Sequence, residues 1–254
     1  MLNIVIPMAG RGSRFADAGF TDPKPFIRIG DVPMIELVIR NLRPSRPHRF
    51  IFVCQQTHLD RYDFRARLKQ LAPGSEVVST PGLTEGAACS VLMASDFIDS
   101  VHPLLIANAD QWVDTSIDAF LEAADKHYAD GLIMTMPADS PKWSYICRDN
   151  EGRVCQVIEK EVVSDEATVG IYFFSHGSDF CRDARSMIEA DDRSKGEFYV
   201  APVYSRMYNR GLTAIDTVNI GGGMYGLGTP DDLAAFLASP AMHRARRQVC
   251  GAVA

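Results

Sequence analysis

Apolar positions along the chain alternate between short β-branched runs and longer stretches with apolar residues at helical spacing. The first run, Leu2-Asn3-Ile4-Val5-Ile6-Pro7, reads as a short buried strand that stops at the proline. Pro33 to Leu42 has helical spacing with a proline near its first turn. Phe50 to Cys54 predicts a second strand. Leu59 to Leu71 predicts one charged helix whose basic residues at 61, 65, 67 and 69 form a solvated face. Glu76 to Ser79 and Pro103 to Ala107 predict a third and a fourth strand. Between them, the Thr84-Glu85-Gly86 turn opens an alanine-rich helix. Gly131 to Met136 is a fifth strand. Trp143 to Cys147 and Val154 to Ile158 flank the turn Asp149-Asn150-Glu151-Gly152, and Thr168 to Phe174 follows as a strand. Ser178 to Ala190 is an amphipathic helix, Leu212 to Val218 a late strand, and Thr229-Pro230 caps the last helix. Such alternation predicts an α/β fold: a Rossmann-like mixed, mainly parallel sheet with helices on both faces.

A chain of 254 residues, 46% hydrophobic and without repeats or linkers, fits a single domain over 1–254. Its net charge of −6 argues against nucleic acid or an anionic membrane as the main partner. No stretch approaches the roughly 18 apolar residues of a membrane span. The first apolar run is broken at Asn3 and Pro7 and has no basic segment before it, unlike a secretory signal. Cysteines at 54, 89, 147, 155, 181 and 250 form no C-x-x-C pair, the pattern of reduced thiols in a cytoplasmic protein without a zinc site. Cys54 and Cys89 read as core filler. The arginines at 244, 246 and 247 read as a solvated helix end that favours the helix dipole.

The chemistry is concentrated after the first strand, in Ala9-Gly10-Arg11-Gly12-Ser13-Arg14 and then Pro23-Lys24-Pro25. Glycines at 10 and 12 let the backbone approach a ligand, and successive N–H groups in such a turn make a concave anion site. Arg11 and Arg14 add forked donors, and two prolines restrict the backbone around Lys24. Together they read as a phosphate-handling loop. The spacing is neither that of a P-loop NTPase nor the G-x-G-x-x-G of a dinucleotide site. At the C-terminal end of the fourth strand stands Asn108-Ala109-Asp110-Gln111, where open α/β sheets bind ligands. A carboxylate at Asp110 suits Mg²⁺ shared with phosphate oxygens. Asp114 is a second nearby carboxylate, or a cap for the helix starting near Ser116. No Ser-His-Asp or Cys-His constellation is evident among the dispersed histidines.

The opening resembles the signature of the nucleotidyltransferases that make nucleotide sugars, the sugar-nucleotide pyrophosphorylase family: an apolar strand, A-G-x-G-[ST]-R, then P-K-P. The resemblance implies a nucleotide-diphospho-sugar transferase type of fold, with an NTP-binding half over about 1–115 and an acceptor half over about 116–254. It implies that the loop wraps the triphosphate, that Lys24 contacts phosphate, and that Thr84, Glu85 and Gly86 lie by the base. Asp110 would hold Mg²⁺. Glu159-Lys160 and Gly170 match family positions lining the acceptor pocket, with Lys160 on the acceptor phosphate and Glu159 on hydroxyls, although Glu161 replaces a usual proline. Glu197 matches an acceptor-site glutamate, but Pro202 stands for the usual aspartate; Trp143 and Tyr145 are candidate walls of that pocket. Gly228-Thr229-Pro230 resembles the closing D-x-G-T-P, with Gly226 where the second metal carboxylate normally stands. Either one carboxylate suffices, or Asp216 or Asn219 supplies the other.

The implied reaction is Mg²⁺-dependent transfer of NMP from an NTP to a phosphorylated small molecule, releasing pyrophosphate. CTP is the first reading of the nucleotide. Ile6-Pro7-Met8-Ala9-Gly10 and Trp143-Ser144-Tyr145 look like the capsule- and lipopolysaccharide-associated branch, where cytidylyltransferases occur. Two alternatives stand beside it. Asn108-Ala109-Asp110 loosely imitates the D-x-D of glycosyltransferases that use a nucleotide sugar, and Gly226 permits a non-catalytic nucleotide-binding module. For oligomeric state, a homodimer is the base-rate expectation.

Overall fold

The computed structural model describes the backbone of residues 1–250 and the side chains of 1–247. Nine strands form the central sheet: β1 (Leu2–Pro7), β2 (His48–Gln55), β3 (Glu76–Thr80), β4 (Leu104–Ala107), β5 (Gly131–Pro137), β6 (Ser144–Arg148), β7 (Val154–Glu159), β8 (Glu166–Phe174) and β9 (Ile215–Asn219). β1 is central, paired in parallel with β2 on one side and β4 on the other, and β3 extends the sheet in parallel beyond β2. β8 then runs antiparallel to β4. Along its other edge β8 pairs with β5, which carries β9 in parallel.

β8 changes partners part-way along. Its C-terminal half, from Ile171, pairs with β4, whereas Ala167 near its start faces Tyr145 of β6 across the same edge. Between these pairings lies Gly170, with φ +82°. β4 and β6 therefore part at Gly170, and the carboxyl end of β4 opens into a fork in the sheet. β7 closes the far edge, antiparallel to β6, and brings Glu159 opposite Ser144 beside the same fork.

One core lies on each face of the sheet. Ile4, Ile6, Phe50, Phe52 and Leu105 meet the helices Met34–Leu42 and Ile117–His127 on one face. Val5, Ile51, Val53, Ile106 and Phe174 meet Ala87–Leu92, Gly177–Glu189 and Val203–Asn209 on the other. This is the period-2 alternation of strands buried on both sides. A third cluster joins Trp112, Leu227 and Phe236 to Phe15, Ile29 and Met34, and so ties the C-terminal helices to the opening loop.

Some expectations change. Leu59–Leu71 is two helices, Gln56–Arg61 and Phe64–Leu71, because Tyr62 is extended and Phe64 turns inward against Phe26. The short strands Gln111–Val113 and Met224–Gly226 pair outside the main sheet and were not evident from periodicity. Ser116 caps the helix Ile117–His127, while Asp114 pairs with Arg244 at 2.7 Å, so Arg244 is a tether and not a solvated end. Cys54 is buried as expected and Cys89 is half-buried; the side chain of Cys250 lies outside the described residues.

Candidate active site

The carboxyl ends of β1, β2 and β4 meet at a cleft of about 640 Å³ lined by Ala9, Gly10, Arg11, Gly12, Lys24, Thr84, Gly86, Asn108, Asp110 and Glu197. Gly12 has φ +64° and packs so close to Lys24 that an added Cβ would lie 3.2 Å from the lysine's own. The glycine thus lets the loop fold down over Lys24. Gln55, at the end of β2, donates its amide to the carbonyls of Ala9 (2.6 Å) and Gly10 (3.2 Å). This turns the loop carbonyls away from the cleft and fixes its curvature. Arg11 lines the cleft; Ser13 and Arg14 follow in the short helix Ser13–Asp17, exposed and outside the lining.

Below the loop, the Lys24 ammonium donates to Oδ2 of Asp110. Asp110 is placed by its carbonyl, which accepts from Leu227 N–H at 2.8 Å, and by Gly228, where a Cβ would stand 2.9 Å from its Oδ2. Gly228 is therefore small because the carboxylate occupies its side-chain space. At Gly170 an added Cβ would lie 2.1 Å from Nδ2 of Asn108, which in turn donates to Oε1 of Gln111 at 3.3 Å. The amide nitrogen of Gln111, Nε2, is buried without a partner.

The turn over Thr84, Glu85 and Gly86, expected to lie by the base, is built differently from expectation. The Thr84 hydroxyl is within 3.0 Å of Gly86 carbonyl and 2.6 Å of the Ser90 hydroxyl, so it stiffens the turn that lines the cleft. Gly86, with φ +136°, has Phe198 carbonyl 2.3 Å from the place of a Cβ. The Glu85 carboxylate instead points outward to Arg193 and does not line the cleft, a correction to its assignment beside the base.

Across the fork, Glu159 accepts from the Ser144 hydroxyl. Burial pushes its carboxyl above the ordinary range, offset partly by that hydrogen bond and by Lys160. Lys160 donates to the Tyr199 hydroxyl. Trp143 is half-buried, and its carbonyl accepts Lys160 N–H at 2.9 Å. Tyr145 does not wall the pocket: it is fully buried, and its hydroxyl donates to Ser140 carbonyl at 2.8 Å. The strand pleat sends Ser144 to the Glu159 side and its neighbour Tyr145 to the other.

Asp216 is also corrected. It is the second residue of β9, opposite Leu132 near the start of β5, at the end of the sheet away from the cleft; there its carboxylate meets the His127 ring at 2.5 Å. Asn219 accepts Gly221 N–H within the glycine turn. Beside Gly226 stands Asp232, held by the Thr229 hydroxyl as a helix cap. No cluster of three or more His, Cys, Asp or Glu side chains able to hold a metal occurs among the described residues. Asp110 fits an ion held by one carboxylate together with ligand phosphate oxygens, the common Mg²⁺ arrangement, and not an all-protein cage.

The family model described as Nucleotidyl transferase matches residues 4–236. The chain belongs to the nucleotidyl transferase family. A curated relative is the bifunctional protein GlmU of Bordetella parapertussis, 26% identical over 231 residues. That match covers 87% of this chain and 47% of the relative, so the chain spans about half the relative's length. Among solved structures, the nucleoside-diphosphate-sugar pyrophosphorylase of Vibrio cholerae RC9 is similar with a TM-score of 0.81 and 25% identity, covering 93% of this chain and all (100%) of that one. The inositol-1-phosphate CTP transferase of T. maritima shares the fold, with a TM-score of 0.74 and 14% identity over 99% of this chain and 97% of that one. The sheet of this nucleotidyl transferase family member is of the nucleotide-diphospho-sugar transferase type.

Gln55 and Tyr199 were not singled out from the sequence. Gln55 had one available signal, its place at the end of a parallel strand. A second groove, of about 700 Å³, runs along β7, but its arginines are already committed: Arg210 to Asp179 and Asp183, Arg206 to Asp192. It offers no free guanidinium to a phosphate.

Proposed function

We propose that this protein transfers a nucleoside monophosphate from an NTP to a phosphorylated small molecule, releasing pyrophosphate. The observation that carries it is the Lys24–Asp110 pair lying in the cleft beneath the Gly10–Gly12 loop, with the acceptor-side residues Glu159 and Lys160 close by across Glu197. In the transfer, an oxygen of the acceptor phosphate attacks the α-phosphorus, the bond to the β-phosphate bridging oxygen breaks, and pyrophosphate leaves with that electron pair. The attacking oxygen is already ionised near neutral pH, so no protein base is needed; positioning and charge neutralisation are.

Arg11, Arg14 and Lys24 hold the triphosphate and the leaving pyrophosphate, with the loop's N–H groups around them. Mg²⁺ on Asp110 supplies Lewis-acid neutralisation of phosphate oxygens when bound. Ala9, Gly10, Gly12 and Ser13 shape the loop, and Thr84 and Gly86 wall the base. Lys160 meets the acceptor phosphate, while Glu159 and Glu197 take acceptor hydroxyls beside Gly170 and Trp143. The two structural neighbours, a nucleoside-diphosphate-sugar pyrophosphorylase and an inositol-1-phosphate CTP transferase, support a sugar phosphate or polyol phosphate as acceptor. CTP remains the first nucleotide to try, with a surface-polysaccharide precursor as product and the cytoplasm as the site of action. No helix among the described residues is long and apolar enough to cross a membrane.

The test is pyrophosphate release with Mg²⁺ for each NTP against a panel of phosphorylated sugars and polyols. Release that requires one NTP and one acceptor together supports the proposal. Tight NTP binding with no release across the panel would favour a nucleotide-binding module, in line with Gly226.

A further inference from the structure

Lys160, the residue just after β7, has a left-handed backbone, φ +57°, a conformation that L side chains adopt at a cost. Its N–H is tied to Trp143 carbonyl at 2.9 Å, so the turn is held and the side chain leaves the strand line. The ammonium ends on the Tyr199 hydroxyl and lies 4.4 Å from the centre of that ring. Two carboxylates, Glu159 and Glu197, also face it. A flexible lysine between two carboxylates would settle on one of them, and that carboxylate would compete with an incoming anion for the ammonium. A neutral phenol does something different. Its oxygen and π-face orient the ammonium but leave the positive charge available to an incoming anion.

Tyr199 is itself firmly placed. The preceding residue, Phe198, donates to Glu85 carbonyl at 2.8 Å and accepts from Ala88 N–H at 3.0 Å. Gly86 lets these backbones close up, and the Phe198 ring is buried beneath Arg193, whose guanidinium lies 4.2 Å from its centre. The Glu197 carboxylate is close enough to act on both the Tyr199 hydroxyl and the Lys160 ammonium.

We propose that Tyr199 is a positioning residue for Lys160, holding its ammonium charged and directed at the acceptor side of the cleft so that it captures a phosphomonoester. The proposal rests on the assignment of Lys160 to the acceptor phosphate made above. Burial works against the Lys160 charge, but the Tyr199 hydrogen bond and the carboxylates of Glu159 and Glu197 outweigh it and raise its pKa. Burial likewise raises Tyr199, which keeps the phenol neutral through the physiological range.

The test is competitive amine labelling of Lys160 in the full chain, read by peptide mass across an alkaline pH series, with inorganic phosphate as the protecting anion. In Tyr199→Phe, which keeps the ring, Lys160 is expected to titrate at lower pH and to need about fivefold more phosphate for half-protection. Wild-type labelling and protection in that variant would overturn the proposal. With any phosphomonoester the wild type accepts, Tyr199→Phe should raise its KM while leaving the NTP KM unchanged, and should add nothing in a Lys160→Met background. An equal effect in that background would mean general loosening and would also overturn it. Because labelling uses neither NTP nor acceptor, a wild type that releases no pyrophosphate would count against the transfer activity and not against the Tyr199–Lys160 geometry.

Discussion

Gly86 carries two demands on one residue: a φ of +136° and a Phe198 carbonyl 2.3 Å from any Cβ. Gly86→Ala is expected to lose about 2 kcal/mol or more of stability, measurable by denaturant unfolding, because neither backbone can yield without breaking the Phe198 pairings. Glu159 gives a prediction with a definite sign. Its folded-state pKa is raised by burial, so the fold favours the protonated carboxyl, and stability falls as pH climbs from the ordinary carboxylate range through the raised value. Glu159→Gln should therefore melt a few degrees higher than wild type at pH 8, with the gain vanishing near pH 4. A gain independent of pH would contradict the cause given. Residues placed by local chain chemistry were legible in position: Gly10, Gly12, Lys24 and Asp110 line one cleft, where the loop and the strand end put them. Asp216 and Tyr145 were not, because the end of the sheet a residue occupies and the side of the pleat it faces are set by long-range pairing.

At the scale of elements, the helix Pro230–Ala238 supports the site through its cap. The Thr229 hydroxyl accepts from Asp232 N–H at 3.1 Å and donates to the Asp232 carboxylate at 2.8 Å, while the residues just before it, Leu227 and Gly228, hold Asp110. Thr229→Ala should cost about 1 kcal/mol of stability by thermal melt, and should lower kcat if Asp110 shifts with it. Most strands and the helices that cover them were readable from apolar periodicity. The break between Gln56–Arg61 and Phe64–Leu71 was not. Helical spacing continues through it, and only the seat for Phe64 against Phe26, some forty positions away in the chain, pulls the backbone open. The pairing of Gln111–Val113 with Met224–Gly226 was hidden for the same reason, each being three residues long and more than 100 positions from its partner.

For the whole molecule, the fork where β4 and β6 part along β8 sets the Gly10–Gly12 loop on one side and Glu159–Lys160 on the other. The segment from Arg193 to Tyr199 bridges the two, through Glu85 at one end and Lys160 at the other. Thiol accessibility checks the packing around this frame. Burial pushes Cys54 and Cys181 up to about 12, so both should resist a thiol reagent in the native protein. Cys147 and Cys155, half-exposed on neighbouring strands, should react. The reaction itself is tested most directly in reverse. The protein is incubated with Mg²⁺, labelled pyrophosphate and a set of nucleoside-diphosphate-linked sugars and polyols. The predicted result is label in the β- and γ-positions of one NTP, lost in Asp110→Ala with the fold intact. Release of a nucleoside diphosphate with no labelled NTP would contradict nucleotidyl transfer and make the protein a glycosyltransferase.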